Sequence, residues 1–116
     1  MKKGIGYLNN KERRVIESFV KEIRKKLGDD IIAIRLFGSK VRGDFKQGSD
    51  IDIFILVKRR KGVRDKISDI AADYLFKTNI PLAPVVYSLF EYKKNKELGS
   101  FFFENVETEG IDLWAG

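Results

Sequence analysis

Among its 116 residues the chain has no cysteine and no histidine, and only two prolines, one methionine and one tryptophan. Without cysteine there is no disulfide framework, no thiolate zinc site and no cysteine nucleophile. Without histidine there is no imidazole base, no histidine metal site and no serine-histidine triad. The chemistry that remains belongs to carboxylates, hydroxyls, Lys, Arg and a bound metal. No apolar run approaches the roughly 18 residues that would cross a bilayer, and the opening MKKGIGYLNN offers no apolar stretch for a signal peptide. Together with the missing cysteines this leads us to expect a reducing, cytoplasmic setting with no membrane contact. A composition 43% hydrophobic and 34% charged excludes a disordered chain, and the length suits one core and one domain, residues 1–116.

The formal charge of +6 is unevenly spread. Residues 1–66 hold 19 basic and 9 acidic side chains, whereas residues 67–116 hold 4 and 8. A basic front half suits a polyanion or an acidic partner, and an acidic back half suits a basic surface. Solubility, or the Lys- and Glu-rich surface common in heat-adapted proteins, accounts for the same charges with no partner at all.

Along the chain, Asn9 or Asn10 can cap a helix, with Glu12 placed for a capping box. Val15, Ile16, Phe19, Val20, Ile23 and Leu27 then form a helical apolar stripe that ends at Gly28. Residues 31–37 are a nearly continuous apolar run and read as a buried strand, and residues 38–49 as a loop with at most one helical turn. Residues 50–57 are apolar on both faces except for two carboxylates at their start, the mark of a central strand. A second helix begins near Val63 with Asp65, Asp69 and Asp73 on a solvated face. Residues 82–88, LAPVVYS, read as a third strand whose Pro84 favours an edge or a bulge. A short helix follows from Leu89 to Leu98, and the remainder is a tail with three phenylalanines and several acids. The expected class is α/β or α+β, a mixed sheet with helices packed on it.

One segment carries chemistry: Phe37-Gly38-Ser39, ten further residues, then Asp50-Ile51-Asp52. Strand alternation puts Asp50 and Asp52 on one side and Ile51 and Ile53 on the other. Two like charges at the start of a buried strand are costly unless compensated. A hard divalent cation with oxygen ligands is the ordinary compensation, and Mg²⁺ fits best. Gly38 permits close backbone approach, and the Ser39 hydroxyl with nearby amides can hold a phosphate. The alternative is that these are ordinary turns with Asp52 on a solvated face. Chance produces the four fixed positions in a chain of this length on the order of once in a thousand, so the alternative weakens once both halves are counted.

The stretch FGSKVRGDFKQGSDIDIFILV resembles the signature of the minimal nucleotidyltransferases, small members of the DNA polymerase beta-like superfamily, and the resemblance extends over nearly the whole chain. It implies that Gly38 and Ser39 bind nucleotide phosphates and that Asp50 and Asp52 are catalytic and bind Mg²⁺. Arg42 and Gly43 match a frequent Arg-Gly in the loop. Arg42, Lys40 or Lys46 would bring positive charge to the phosphates, and Arg42 is favoured. The implied reaction moves a nucleoside monophosphate, AMP from ATP or another NTP, to a hydroxyl with pyrophosphate leaving. Many relatives act as antitoxins beside a HEPN-type protein partner. Nucleic acid is disfavoured as a partner because no array of interleaved aromatic and basic residues is present, and an oligomer is left open.

The resemblance also implies a third carboxylate from a later strand. The matching strand, residues 82–88, contains no acid, and the position falls near Ala83 or Pro84. Glu91, Asp69 and Asp73 are the remaining candidates. Two readings therefore stand: an enzyme that modifies a partner, and a catalytically impaired module that binds a nucleotide or a partner.

Overall fold

The computed structural model describes residues 7–43, 49–59 and 61–115. Helix α1 spans Asn10–Leu27, and its start is closed by a capping box. Asn9 Oδ1 accepts from the Glu12 backbone N–H at 2.8 Å, and Glu12 Oε1 accepts from the Asn9 N–H at 3.0 Å. Its apolar stripe, Val15 through Leu27, is buried as the spacing predicts. A 3-10 turn, Gly28–Asp30, leads into β1, Ile31–Phe37, and the single-turn helix α2 covers Ser39–Arg42. Strand β2 is Ile51–Val57, α3 is Val63–Thr78 and β3 is Leu82–Ser88. Helix α4, Leu89–Glu97, has a second capping box between Ser88 and Glu91. Two elements complete the chain: α5, Phe101–Glu109, and β4, Ile111–Ala115.

The four strands lie in the order β3-β2-β1-β4. β1 is antiparallel to β2 and to β4, while β2 and β3 run parallel. A parallel pair cannot be joined by a tight turn, and α3 supplies the crossover. The expected mixed sheet is present, β2 is internal and β3 is an edge. The tail, to which the sequence analysis assigned no element, folds as α5 and β4, and β4 covers the edge of β1.

The sheet separates two cores. Ile51, Ile53, Ile55 and Val57 of β2 join Ile34 and Leu36 of β1 and the stripe of α1, with Ile67 and Ile70 of α3 closing the layer. Phe54 and Leu56 point the other way, into an aromatic layer with Phe37, Tyr87, Phe102 and Phe103. Phe54 lies 6.1 Å from Phe103 in an edge-on arrangement and stacks on Tyr87 at 6.0 Å, the spacings aromatic rings prefer. A register shift between Ile31 and Ala33 lets Ile31 and Ile34 both face the aliphatic side while Ile32 and Ala33 face the aromatic one. Among the described residues no helix is long and apolar enough to cross a membrane.

Candidate functional site

Strand pairing sets Phe37, the last residue of β1, opposite Asp52 near the start of β2. Gly38 follows at once with φ +84°, and its backbone lies directly against the Asp52 side chain. A Cβ at position 38 would collide with the Asp52 carboxylate, reaching 3.0 Å from its Cγ. Only glycine both adopts this left-handed conformation readily and leaves the carboxylate where it is. The two halves of the motif, ten residues apart in sequence, therefore form one surface. Ser39 continues it as the first residue of α2.

Asp52 is half-buried, and burial raises its carboxyl above the usual carboxylate range. The neighbouring Asp50 charge pushes the same way, and Arg42 pulls partly back. Asp50 precedes the first paired residue of β2 and is exposed. Arg42, on α2, faces Glu109 of α5 across 3.4 Å, so a cation whose charge reaches Asp52 is shared with a carboxylate 67 residues further along. The sequence held no signal for that pairing, since nothing local connects the two positions.

Lys40 behaves otherwise than expected. It is only 4% exposed and its Nζ lies 3.0 Å from Glu12 Oε2, the other oxygen of the residue that closes the α1 capping box. Its ammonium pins α2 to the start of α1, so it positions the Gly38-Ser39 segment instead of meeting a phosphate. Lys46 lies outside the described residues.

The register confirms that no acid on β3 opposes Asp52. Its partner is Ala83, and Ile53 faces Pro84. Glu91 is used in the α4 capping box and Asp73 pairs with Lys77 at 2.9 Å. Among the described residues no group of three or more acidic side chains could hold a metal, so Asp69 and the others do not complete the pair. The donor set is two carboxylates whose charge is incompletely offset, one of them raised first by burial and then by its acidic neighbour. It fits a hard divalent cation that takes its remaining ligands from water and from phosphate oxygens.

The charge pattern also needs correction. Much of the basic front half does not face the carboxylates. β2 carries the chain about 20 Å from Asp52 to Lys58, and Lys58, Arg59 and Lys61 gather at that far end. There Arg24 sits 4.7 Å over the Trp114 ring beside an open cavity of about 540 Å³. Nor is the acidic back a separate patch. Glu109 meets Arg42, Asp112 stands 3.0 Å from Arg35, and Glu107 stands 3.0 Å from Lys96. Glu107 also accepts a hydrogen bond from Tyr92, whose phenol is pushed up to about 12 by burial and by that carboxylate.

Residues 16–107 match the family described as the nucleotidyltransferase domain. A relative from Methanocaldococcus jannaschii, named a putative protein adenylyltransferase, is 34% identical over 101 residues, which is 85% of this chain and 95% of the relative. Among solved structures, a toxin-antitoxin crystallised with AMP-PNP superposes with a TM-score of 0.58 at 20% identity, over 86% of this chain and 73% of that one. A tri-AMPylated Shewanella oneidensis HEPN toxin in complex with an MNT antitoxin gives 0.51 at 19% identity, over 90% and 73%. At such identities the two structures speak for the fold alone. With the family match covering most of the sequence and the curated relative aligned along nearly its whole length, this chain belongs to the nucleotidyltransferase domain family.

Proposed function

We propose that this chain, acting as a single domain in the cytoplasm, transfers AMP from ATP to a hydroxyl of a HEPN-type protein partner, as the antitoxin half of such a pair. The observation that supports the reading is the packing of the Gly38 backbone on the Asp52 carboxylate, which sets the turn proposed to bind phosphate against the acid proposed to bind metal. Adenylate as the transferred group, and a protein as acceptor, are supported by the name of the curated relative. The partner class is supported by the HEPN toxin found with an antitoxin of this fold.

In this reading Gly38 and Ser39 hold the nucleotide phosphates, and Arg42 turns from Glu109 to join them. Asp50 and Asp52 hold Mg²⁺. When bound, Mg²⁺ supplies charge neutralisation for the leaving pyrophosphate and acidifies the acceptor hydroxyl. The acceptor oxygen bonds to the α-phosphorus as the bond from that phosphorus to the α-β bridging oxygen breaks. Pyrophosphate leaves and the hydroxyl proton passes to water. Positioning and electrostatics do most of this work, so the lack of histidine is no handicap.

A second reading has its own support. Ala83 stands where a third carboxylate would face Asp52, and a chain with two acids can bind a nucleotide or a partner with slow transfer or none. ATP labelled on the α-phosphate, Mg²⁺ and a purified HEPN-type protein decide between the two. The first reading predicts a labelled partner and at least a hundredfold loss with Asp50→Asn/Asp52→Asn. A partner that is neutralised equally by the double variant, and never labelled, supports the second.

A further inference from the structure

The Gly38-Ser39 turn leads into a helix that cannot stand by itself. α2 is four residues long, a single turn, and so short a helix forms too few hydrogen bonds to offset the fixing of its backbone. The Val41 and Arg42 N–H groups donate to the Gly38 carbonyl at 3.0 and 3.2 Å, which closes the turn on itself but does not place it against Asp52. Val41 packs on the aliphatic core and supplies one anchor. Further anchors come from residues that precede α1 or open it. The Tyr7 N–H donates to the Lys40 carbonyl at 2.8 Å, and the Tyr7 ring lies so near Gly43 that a Cβ there would stand 2.8 Å from it. Glu12 meets the Lys40 ammonium at 3.0 Å.

Glu12 is built to fix a position as well as to neutralise a charge. One of its oxygens accepts from the Asn9 N–H and closes the cap of α1, while the other meets Lys40, so the carboxylate is held from two directions. Val15 and Ile16, one turn further along, seat the same helix in the core. The Lys40 side chain is 4% exposed and that of Glu12 13%, which sets the pair apart from the surface pairs elsewhere in the chain. Burying two charges adds little net stability over well-packed apolar side chains of the same size, because both lose their water. What the pair supplies is direction. Any movement of α2 that carried Gly38 away from Asp52 would also separate two buried charges, a cost that exposed pairs do not impose.

We infer that Glu12 is a positioning residue of the nucleotide site, holding Gly38 and Ser39 in place against Asp52 through the Lys40 ammonium. The inference rests on the function proposed above and deepens it. Affinity for the metal-bound nucleotide is set in part by a carboxylate that caps another helix and touches neither metal nor phosphate.

Glu12→Gln separates this role from capping, because a glutamine at that position still accepts from the Asn9 N–H and only the charge is lost. Titration of the full chain with AMP-PNP and Mg²⁺ should show roughly tenfold weaker binding for Glu12→Gln and for Lys40→Met. The double variant should bind no more weakly than the worse single one, since both act through one contact. Without nucleotide, hydrogen exchange at the Val41 and Arg42 amides, which report the turn, should quicken roughly tenfold in Glu12→Gln, while the Ile53 and Ile55 amides of β2 keep their wild-type rates. Were Lys40 to meet phosphate directly, Glu12→Gln would release it and nucleotide binding would tighten or stay unchanged. That result overturns the inference. So does exchange that is unaltered at Val41 and Arg42, or faster throughout the sheet. If wild type fails to bind AMP-PNP with Mg²⁺, the proposed function falls, while the exchange contrast still decides whether Glu12 holds the turn.

Discussion

Ile51, Ile53, Ile55 and Val57 press one face of β2 against α1 and α3, a layer with no charged member. On the opposite face the same strand offers Asp52, Phe54 and Leu56, and the rings of Tyr87, Tyr92, Phe102 and Phe103 cover only the last two. The aliphatic face holds the fold together; the aromatic face stops short and leaves a carboxylate half-buried at its margin. Stability and chemistry are thereby assigned to alternate residues of one strand. Substitutions a single position apart should have effects of opposite sign.

The largest stability effect belongs to the aliphatic face. Ile53 is fully buried there, and Ile53→Ala should cost about 2–5 kcal/mol in urea unfolding through lost burial and a residual cavity. A cost below about 1 kcal/mol would mean that this face does not carry the fold. The smaller effect lies next door and runs the other way. Because burial and Asp50 raise the Asp52 carboxyl, the folded state holds that proton more tightly than the unfolded chain does. Stability is therefore lost as pH rises through the elevated value, and the cost is fully present at neutral pH. Asp52→Asn should raise the melting temperature at pH 7 by on the order of a few degrees, partial exposure limiting the gain. The gain should vanish at pH values below the ordinary carboxylate range, where both states are protonated. A lower melting temperature at pH 7 would break the contrast between the two faces.

Much of this was readable from the sequence because its signals are local. The Asn9–Glu12 cap, the α1 stripe and the unbroken apolar runs of β1 and β2 each lie within a few residues, whereas Asp50, expected inside the strand, precedes it. Pro84 correctly marked an edge strand. What escaped depends on distant partners. α5 is short and rich in acids, and its helical character rests on Phe103 and Val106 burying themselves against Phe54 and Leu56. β4 is five residues long and exists as a strand because β1 has a free edge. Lys40 looked like a loop cation beside the motif, and only the fold brings Glu12 to it. Glu109 carried no hint that it would meet Arg42. In physical terms, periodicity and capping are written locally, whereas ion pairs and edge pairing are consequences of topology.

The central claim is that Asp50 and Asp52, braced by Gly38, form a metal-nucleotide site with two protein carboxylates. Calorimetric titration of Mg²⁺ into the full chain in the presence of AMP-PNP tests it most directly. The account predicts metal-dependent nucleotide binding by wild type and its loss, by at least a hundredfold, in a folded Asp50→Asn/Asp52→Asn variant. Binding of Mg²⁺ and AMP-PNP by that variant with wild-type affinity would contradict it.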